Sequence, residues 1–215
     1  MTQVKICGIK EEGHALTAVE AGADFIGFVF APSKRQVSSA RAHEVINAVK
    51  RRSNAMKTVG VFVDTPASEA NRIADFCGLD WIQLSGDESW EYCREIERPI
   101  IKVVHVPAGK TAMQIIAEIR KGSQLSLRQR LICLLDSQVG TAYGGTGQAF
   151  NWQLAKEASV SLPIIIAGGL TPRNVGKLVR NIRPWGVDVS SGIETNGRKD
   201  VAKIREFIQT VREAQ

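Results

Sequence analysis

The amino-acid sequence predicts an α/β fold, a single (β/α)8-barrel domain with eight parallel strands over residues 1–215. Three observations predict it. Short apolar, β-branched runs alternate with segments of helical periodicity, the alternation repeats eight times, and no linker rich in Pro, Gly or Ser divides the repeats. Strict alternation of buried strands with helices favours parallel pairing through right-handed crossovers, and eight such units are the number that closes a barrel.

The predicted strands are apolar runs too short for helices, and in chain order they cover residues 4–7, 25–30, 58–63, 81–84, 100–104, 131–135, 163–167 and 187–190. The helical segments that follow them cover residues 11–21, 38–52, 66–77, 87–97, 109–121, 151–158, 172–182 and 199–213. Three basic residues, 50–52, end the second helical segment, where cations complement the helix dipole. Thr171 and Pro172 open the seventh. Residues 121–130 form a loose stretch, interpreted as a surface connection.

An open, doubly wound sheet is the alternative arrangement for alternating strands and helices. Such a sheet normally has fewer repeats and carries a GxGxxG fingerprint after its first strand. Here the first strand ends in Cys7-Gly8 and leads directly to a helix. We therefore expect the closed TIM barrel.

Charge and composition limit the class of partner. The chain is 44% hydrophobic and 23% charged, which suits one sizeable globular core. Its net charge of +6 is spread among acidic residues, and the compact basic run at 50–52 is interpreted as a solvated helix end. We therefore expect no nucleic-acid partner and an anionic small molecule as substrate.

The four cysteines form no CxxC pair and have no histidine at metal-ligand spacing, so no metal site is expected. An apolar strand begins almost at once, and no apolar run approaches the length of a membrane span. We expect a cytoplasmic protein with free thiols and no membrane partner. The sequence leaves the oligomeric state open, with the monomer as the default.

Two residues at the ends of predicted strands are candidates for acid–base chemistry, because barrel enzymes place their active sites there. Asp136 follows an apolar run, so desolvation could raise its pKa toward that of a general acid. A glycine-rich segment, 140–147, follows it, as expected of a loop over a ligand. Lys5 precedes Cys7 by two residues and shares its face, where an ammonium favours the thiolate that a general base requires. The first and eighth strands are neighbours in a closed barrel, so we expect Lys5 to form an ion pair with Asp188 in the barrel interior. Alone, Asp136 could be a loop cap and Cys7 an inert core residue.

Glycines follow the last two predicted strands and predict a phosphate site. Gly168 and Gly169 follow the seventh strand, and Ser191 and Gly192 follow the eighth. Backbone N–H groups can cradle a phosphate only where no Cβ blocks the approach. Strands seven and eight are also where barrels commonly bind phosphate, although turns at helix starts would explain the same glycines.

Five segments in order resemble the phosphoribosylanthranilate isomerase family from end to end. The segments are Lys5-Ile6-Cys7-Gly8-Ile9, Ser33-Lys34-Arg35-Gln36-Val37, Leu135-Asp136-Ser137 with Gly144-Gly145-Thr146-Gly147, Ala167-Gly168-Gly169-Leu170-Thr171-Pro172, and Val187-Asp188-Val189-Ser190-Ser191-Gly192-Ile193-Glu194. The resemblance implies a cofactor-free Amadori rearrangement in tryptophan biosynthesis. It implies Asp136 as general acid, Cys7 as general base, and Arg35 as the residue that binds the anthranilate carboxylate.

The chain departs from the family pattern at two positions. Ser85 stands where the family usually has histidine, and the replacement by serine would shorten or remove any contact that the histidine makes with substrate. Asn151 stands where aspartate is usual, and asparagine can equally cap the helix predicted there.

Other phosphosugar barrels are the nearest alternatives. An indole-glycerol-phosphate synthase would typically have lysine at the end of the first strand, and a histidine-pathway aldose isomerase would have aspartate. Cys7 disfavours both. A phosphoribosyl-ligand binder without turnover is the alternative from another class, and the presence of both Cys7 and Asp136 disfavours it.

Overall fold

The structure, a computed structural model, describes residues 1–107, 109–124, 130–137, 155–156 and 163–215. Eight parallel strands close into a barrel in chain order, so the predicted fold class is confirmed. The strands are β1 Gln3–Cys7, β2 Phe25–Val29, β3 Lys57–Phe62, β4 Trp81–Leu84, β5 Ile100–Val106, β6 Leu131–Ser137, β7 Ile164–Ile166 and β8 Gly186–Val189.

Helices lie between the strands along the outside of the barrel. The longer ones in the described residues are α1 Glu12–Glu20, α2 Ser39–Arg52, α3 Ala67–Cys77, α4 Ala112–Ser123, α5 Pro172–Ile182 and α6 Val201–Glu213. Side chains of Ser38 and Asp200 cap the backbone N–H groups that begin α2 and α6. A short antiparallel pair, β9 Glu194–Thr195 and β10 Arg198–Lys199, follows β8. Within the described ranges, none of the helices combines the length and the apolar character that crossing a membrane requires.

Two of the predicted helical segments are not among the helices given above. The one at 151–158 lies outside the described residues, except for 155–156. The one at 87–97 is wrong, because the structure has only a 3₁₀ turn there, Glu91–Glu95. Glu88 turns inward instead of starting a helix. Its carboxylate accepts hydrogen bonds from the backbone N–H groups of Asp64 and Gly86 and pairs with Lys102 at 3.1 Å.

Side chains on the strands alternate between two hydrophobic cores. One core fills the barrel interior and consists of Phe25, Val59, Trp81, Ile101, Val103, Ile132, Leu134, Ile165 and Ala167. The other lies between the strands and the helices. At the N-terminal end of the barrel, the Arg130 guanidinium lies 5.8 Å from the ring centroids of both Trp81 and Trp185. The interior of the barrel is therefore filled by apolar side chains toward the N-terminal ends of the strands. The polar side chains of the cavity lie at the C-terminal ends of the strands.

Candidate active site

Polar side chains at the C-terminal ends of the strands surround a cavity of about 290 Å³. The predicted residues Cys7, Arg35 and Asp136 all line it. The wall on the side of β2 and β3 is apolar and includes Val29, Ala31, Pro32, Val61 and Val63, whereas Gln83, Ser85, His105, Asp188 and Ser190 add further polar groups. The cavity therefore offers an apolar face opposite groups able to exchange protons.

Cys7 lies beside a buried ion pair at the end of β1. Lys5 and Asp188 are partners in register on β1 and β8, and Lys5 Nζ lies 2.8 Å from Asp188 Oδ1. The Lys5 side chain is 1% exposed. Gly27, on the neighbouring strand β2, makes room for both groups, since a Cβ there would lie 2.9 Å from Cys7 Sγ and 3.2 Å from Lys5 Nζ. The thiol and the ammonium are thus packed against the same point of β2.

Burial and charge act in opposite directions on Cys7. Burial raises the pKa of the thiol and the Asp188 carboxylate raises it further, while the Lys5 and Lys199 ammonium groups lower it, and the net pKa is above the ordinary value. Lys5 therefore acts in the direction expected from the sequence, but desolvation outweighs it. Burial also opposes the charge of Lys5, yet attraction to Asp188 and Cys7 dominates and its pKa is raised.

Asp136 lies on β6 directly beside His105 of β5, since the two residues are partners in register. Both line the cavity, as the alternation after Leu134 and Val103 requires. His105 Nε2 donates a hydrogen bond to the Ser85 carbonyl oxygen at 3.1 Å. Burial lowers the pKa of His105, and the Lys102 ammonium lowers it further, against the opposing effect of the bond to Ser85.

Arg35 reaches the cavity but also holds a carboxylate of its own chain. Its Nε and Nη2 donate to the two oxygens of Glu194 at 2.6 and 3.0 Å. Lys199 Nζ donates to Glu194 Oε1 at 3.0 Å. Burial alone would raise the pKa of Glu194, but the bonds from Arg35 and Lys199 outweigh it and the pKa is lowered. A ligand carboxylate would therefore share Arg35 with an ionised Glu194.

Lys199 also fixes the backbone between β8 and Cys7. Its ammonium is buried and donates to the Ser190 carbonyl oxygen at 2.8 Å. The Ser190 hydroxyl in turn donates to the Cys7 carbonyl oxygen at 3.2 Å. The sequence does not indicate this role of Lys199, because a lysine in a polar segment after the last strand gives no sign of burial.

The predicted phosphate cradle lies next to the main cavity. Gly168, Gly169 and Ser191 line a second cavity of about 40 Å³, and Asp136, Asp188 and Ser190 line both cavities. Gly168 and Gly169 have φ values of 87° and 64°, in the left-handed region that favours glycine. The two predicted parts of the site are therefore adjacent and share three lining residues.

Gly192 does not line either cavity and has a different reason to be glycine. A Cβ at this position would lie 1.7 Å from the carbonyl oxygen of Leu170, so the turn after β8 approaches the turn after β7 too closely for any side chain. Gly192 therefore brings the two turns of the predicted cradle together.

His105 lines the cavity but was not predicted from the sequence as a site residue. The fifth strand was predicted to end at residue 104, which placed His105 in a loop, but β5 continues to Val106. The signal that could have found it is the alternation Ile101, Val103, His105 on one face. Residues 140–147 and 151, which the sequence analysis also singled out, lie outside the described residues.

Comparison with known sequences identifies one family. The model of the family described as N-(5′phosphoribosyl)anthranilate (PRA) isomerase matches residues 4–210. A protein from Dehalococcoides mccartyi named N-(5′-phosphoribosyl)anthranilate isomerase is 46% identical over 214 residues, which cover 100% of this chain and 97% of that protein. A protein of the same name from Trichlorobacter lovleyi is 43% identical over 217 residues, which cover 100% of both.

Solved structures give the same result. The crystal structure of phosphoribosyl anthranilate isomerase from Thermotoga maritima superposes with a TM-score of 0.85 at 32% identity, covering 99% of this chain and 100% of that one. A structure of phosphoribosyl anthranilate isomerase in complex with reduced 1-(o-carboxyphenylamino)-1-deoxyribulose 5-phosphate superposes with a TM-score of 0.83 at 32% identity and the same coverage. The chain is thus similar to these enzymes along nearly its whole length.

Proposed function

This chain belongs to the N-(5′-phosphoribosyl)anthranilate isomerase family and is an isomerase of tryptophan biosynthesis, and we propose that Cys7 and Asp136 are the acid–base pair of its reaction. The substrate is N-(5′-phosphoribosyl)anthranilate and the product is 1-(2-carboxyphenylamino)-1-deoxyribulose 5-phosphate. The reaction needs a group that donates a proton to open the sugar ring and a group that removes a proton from carbon. Cys7 and Asp136 face one cavity and supply one group each.

Asp136 performs the first step as general acid. It protonates the furanose ring oxygen, and the C1′–O bond breaks as the lone pair of the anthranilate nitrogen forms a C1′=N bond, which gives an open-chain Schiff base protonated on nitrogen. The residue lies at the rim of an apolar strand run, where a neutral carboxyl is less costly than a carboxylate. It also lines the smaller cavity, so it lies between the proposed sugar and phosphate positions.

Cys7 performs the second step as general base. Its thiolate removes the proton from C2′, and the electron pair moves into a C1′=C2′ double bond, which gives an enolamine. Reprotonation at C1′ and loss of the hydroxyl proton at C2′ complete the change to the ketone. The Lys5 ammonium stabilises the thiolate that this step requires, in a place where burial disfavours it.

The two ends of the substrate bind at opposite sides of the cavity. The phosphate occupies the turns formed by Gly168, Gly169 and Ser191, with Gly192 holding those turns together. The anthranilate ring packs on the apolar wall, and its carboxylate is bound by Arg35, whose planar donors suit a carboxylate. The relative solved with a reduced form of the product supports a ligand of this size and charge.

The arrangement of Cys7 and Asp136 around one cavity, with the glycine turns beside it, is the observation that carries this proposal. The direct test incubates the purified protein with phosphoribosylanthranilate and follows the loss of its fluorescence. We expect loss of fluorescence with formation of the aminoketose phosphate. Saturable binding with unchanged fluorescence would instead identify a binder without turnover and would overturn the proposal.

A further inference from the structure

His105 is an ionisable residue of the cavity that takes no part in the proposed mechanism. It is the third inward-facing residue in the series Ile101, Val103, His105 on β5, and it lines the cavity together with Cys7 and Asp136. Its register partner on β6 is Asp136 itself. Neighbouring strands of a sheet lie about 4.8 Å apart, so side chains that are partners in register and point to the same face are adjacent. An imidazole and a carboxyl are therefore neighbours at the centre of the proposed chemistry.

The hydrogen bond to β4 fixes which ring nitrogen carries the proton. A backbone carbonyl oxygen can only accept, so the bond from His105 Nε2 to the Ser85 oxygen at 3.1 Å places the proton on Nε2. Burial and the Lys102 ammonium lower the pKa of His105, so the ring is neutral near pH 7. In a neutral ring with Nε2 protonated, Nδ1 carries a lone pair and accepts hydrogen bonds.

We propose that His105 is a positioning residue that keeps the carboxyl of Asp136 in its acid form by presenting Nδ1 as a hydrogen-bond acceptor. An acceptor beside a carboxyl favours the protonated state, because only that state has a hydrogen to donate. An acceptor also disfavours the carboxylate, whose oxygens would face a lone pair. The inference rests on the proposed role of Asp136 as general acid, which must hold a proton when substrate arrives.

The other charged groups around this pair are themselves paired. Asp188 lines the same cavity but is neutralised by Lys5, and Arg35 is neutralised by Glu194. On the outer side, Lys102 pairs with Glu88 and Lys110 pairs with Glu118, and the Asp87 and Glu88 carboxylates both act to raise the pKa of His105. A substitution of His105 therefore tests the proposed effect of its tautomer on Asp136 without breaking any of these ion pairs.

The kinetic test compares His105→Ala with His105→Asn. In the alanine variant, water replaces the ring and can donate to a carboxylate, so Asp136 loses its proton more easily. Asparagine carries Oδ1 on Cγ, where histidine carries Nδ1, and so restores an acceptor. We expect the limb of the kcat/KM profile that reports Asp136 to move to lower pH by about one unit in His105→Ala and by much less in His105→Asn.

Two measurements make this result specific. The titration of Cys7, measured separately from the pH dependence of its alkylation, identifies the limb that belongs to the thiol. His43→Phe is the matched control, because His43 lies on α2 with its ring beside Phe76 and a ring is retained there. An unshifted Asp136 limb in folded His105→Ala, or an equal rise of KM in both variants with no shift, would show a packing or substrate contact only and would overturn the proposal.

A second experiment does not depend on turnover. The chain has three histidines, so the imidazole nitrogen resonances can be assigned by single substitutions. We expect His105 to have its proton on Nε2, and we expect its Nδ1 resonance to move in Asp136→Asn while those of His14 and His43 stay in place. A proton on Nδ1, or no response to Asp136→Asn, would overturn the inference even if the isomerase activity is present. If the His105 Nδ1 resonance moves in Asp136→Asn but the protein shows no turnover, the result would support the interaction of His105 with Asp136 and reject only the proposed function.

Discussion

Lys5 and Asp188 form an ion pair inside the barrel, 2.8 Å apart, with the lysine side chain 1% exposed. The sequence predicts this pair from the alternation of β1 and the adjacency of the first and last strands, and the structure confirms it. Removing one partner leaves the other charge unpaired in the barrel interior, which solvates it poorly. The pair therefore couples the closure of the barrel to the environment of Cys7.

Lys5→Met and Asp188→Asn should each lower the free energy of unfolding by about 3 to 5 kcal/mol. The double variant Lys5→Met with Asp188→Leu should recover part of that loss, since it leaves no unpaired charge. Urea unfolding measures all three free energies. Single variants that lose less than about 1 kcal/mol, a loss typical of surface pairs, would contradict this assignment.

The alkaline limb of the kcat/KM pH profile should report the thiol of Cys7, although Cys7 acts as the base in the proposed reaction. Burial raises the pKa of Cys7 above its ordinary value, which already lies above that of an ordinary carboxyl. The active form needs a thiolate and a protonated carboxyl at the same time. Because the group with the higher pKa must be ionised while the group with the lower pKa is still protonated, this form is a minor species. We expect the alkaline limb of kcat/KM to coincide with the alkylation midpoint of Cys7. Lys5→Met, which removes the cation that lowers this pKa, should move both to higher pH. An alkaline limb that stays in place while the alkylation midpoint moves would contradict the role of Cys7.

The stability of the fold should fall in acid partly because of His105. Its pKa is lowered in the folded protein, so its contribution to stability is complete above the unfolded pKa of about 6.5 and is lost as the pH falls through the folded value. In His105→Asn, the free energy of unfolding should therefore decline less steeply below about pH 6.5 than in the parent. Parallel curves for the two proteins would show that His105 titrates equally in both states.

Arg35→Ala should raise KM about tenfold or more, which corresponds to roughly 1.5 to 3 kcal/mol for a charge-assisted contact. Glu194→Gln is the matched variant, because it keeps the shape of the partner but removes the charge that competes for the Arg35 guanidinium. We expect KM to rise in Arg35→Ala and to stay level or fall in Glu194→Gln. A KM that is unchanged in Arg35→Ala would show that the arginine serves only to hold Glu194.

The sequence predicts the parts of this site that depend on strand order and alternation. Cys7, Asp136 and the Lys5–Asp188 pair follow from those two rules. His105 was missed because β5 runs two residues beyond its apolar run, and the ends of strands leave little trace in the sequence. The contact between Arg35 and Glu194 joins residues 159 positions apart, which no local pattern indicates. The helix predicted at 87–97 failed because Glu88 forms buried tertiary contacts that local periodicity does not register.

The central claim is that Cys7 and Asp136 exchange the protons of one reaction, and single-turnover and steady-state rates of Cys7→Ala and Asp136→Asn with phosphoribosylanthranilate test it most directly. We expect each variant to keep its fold and bind substrate with a KM close to that of the parent, because neither residue supplies the contacts proposed for the phosphate or the carboxylate. We expect kcat to fall at least about a hundredfold in each, as loss of a general acid or base requires. Near-parental turnover in either folded variant would contradict the acid–base assignment while leaving the family and the fold unchanged.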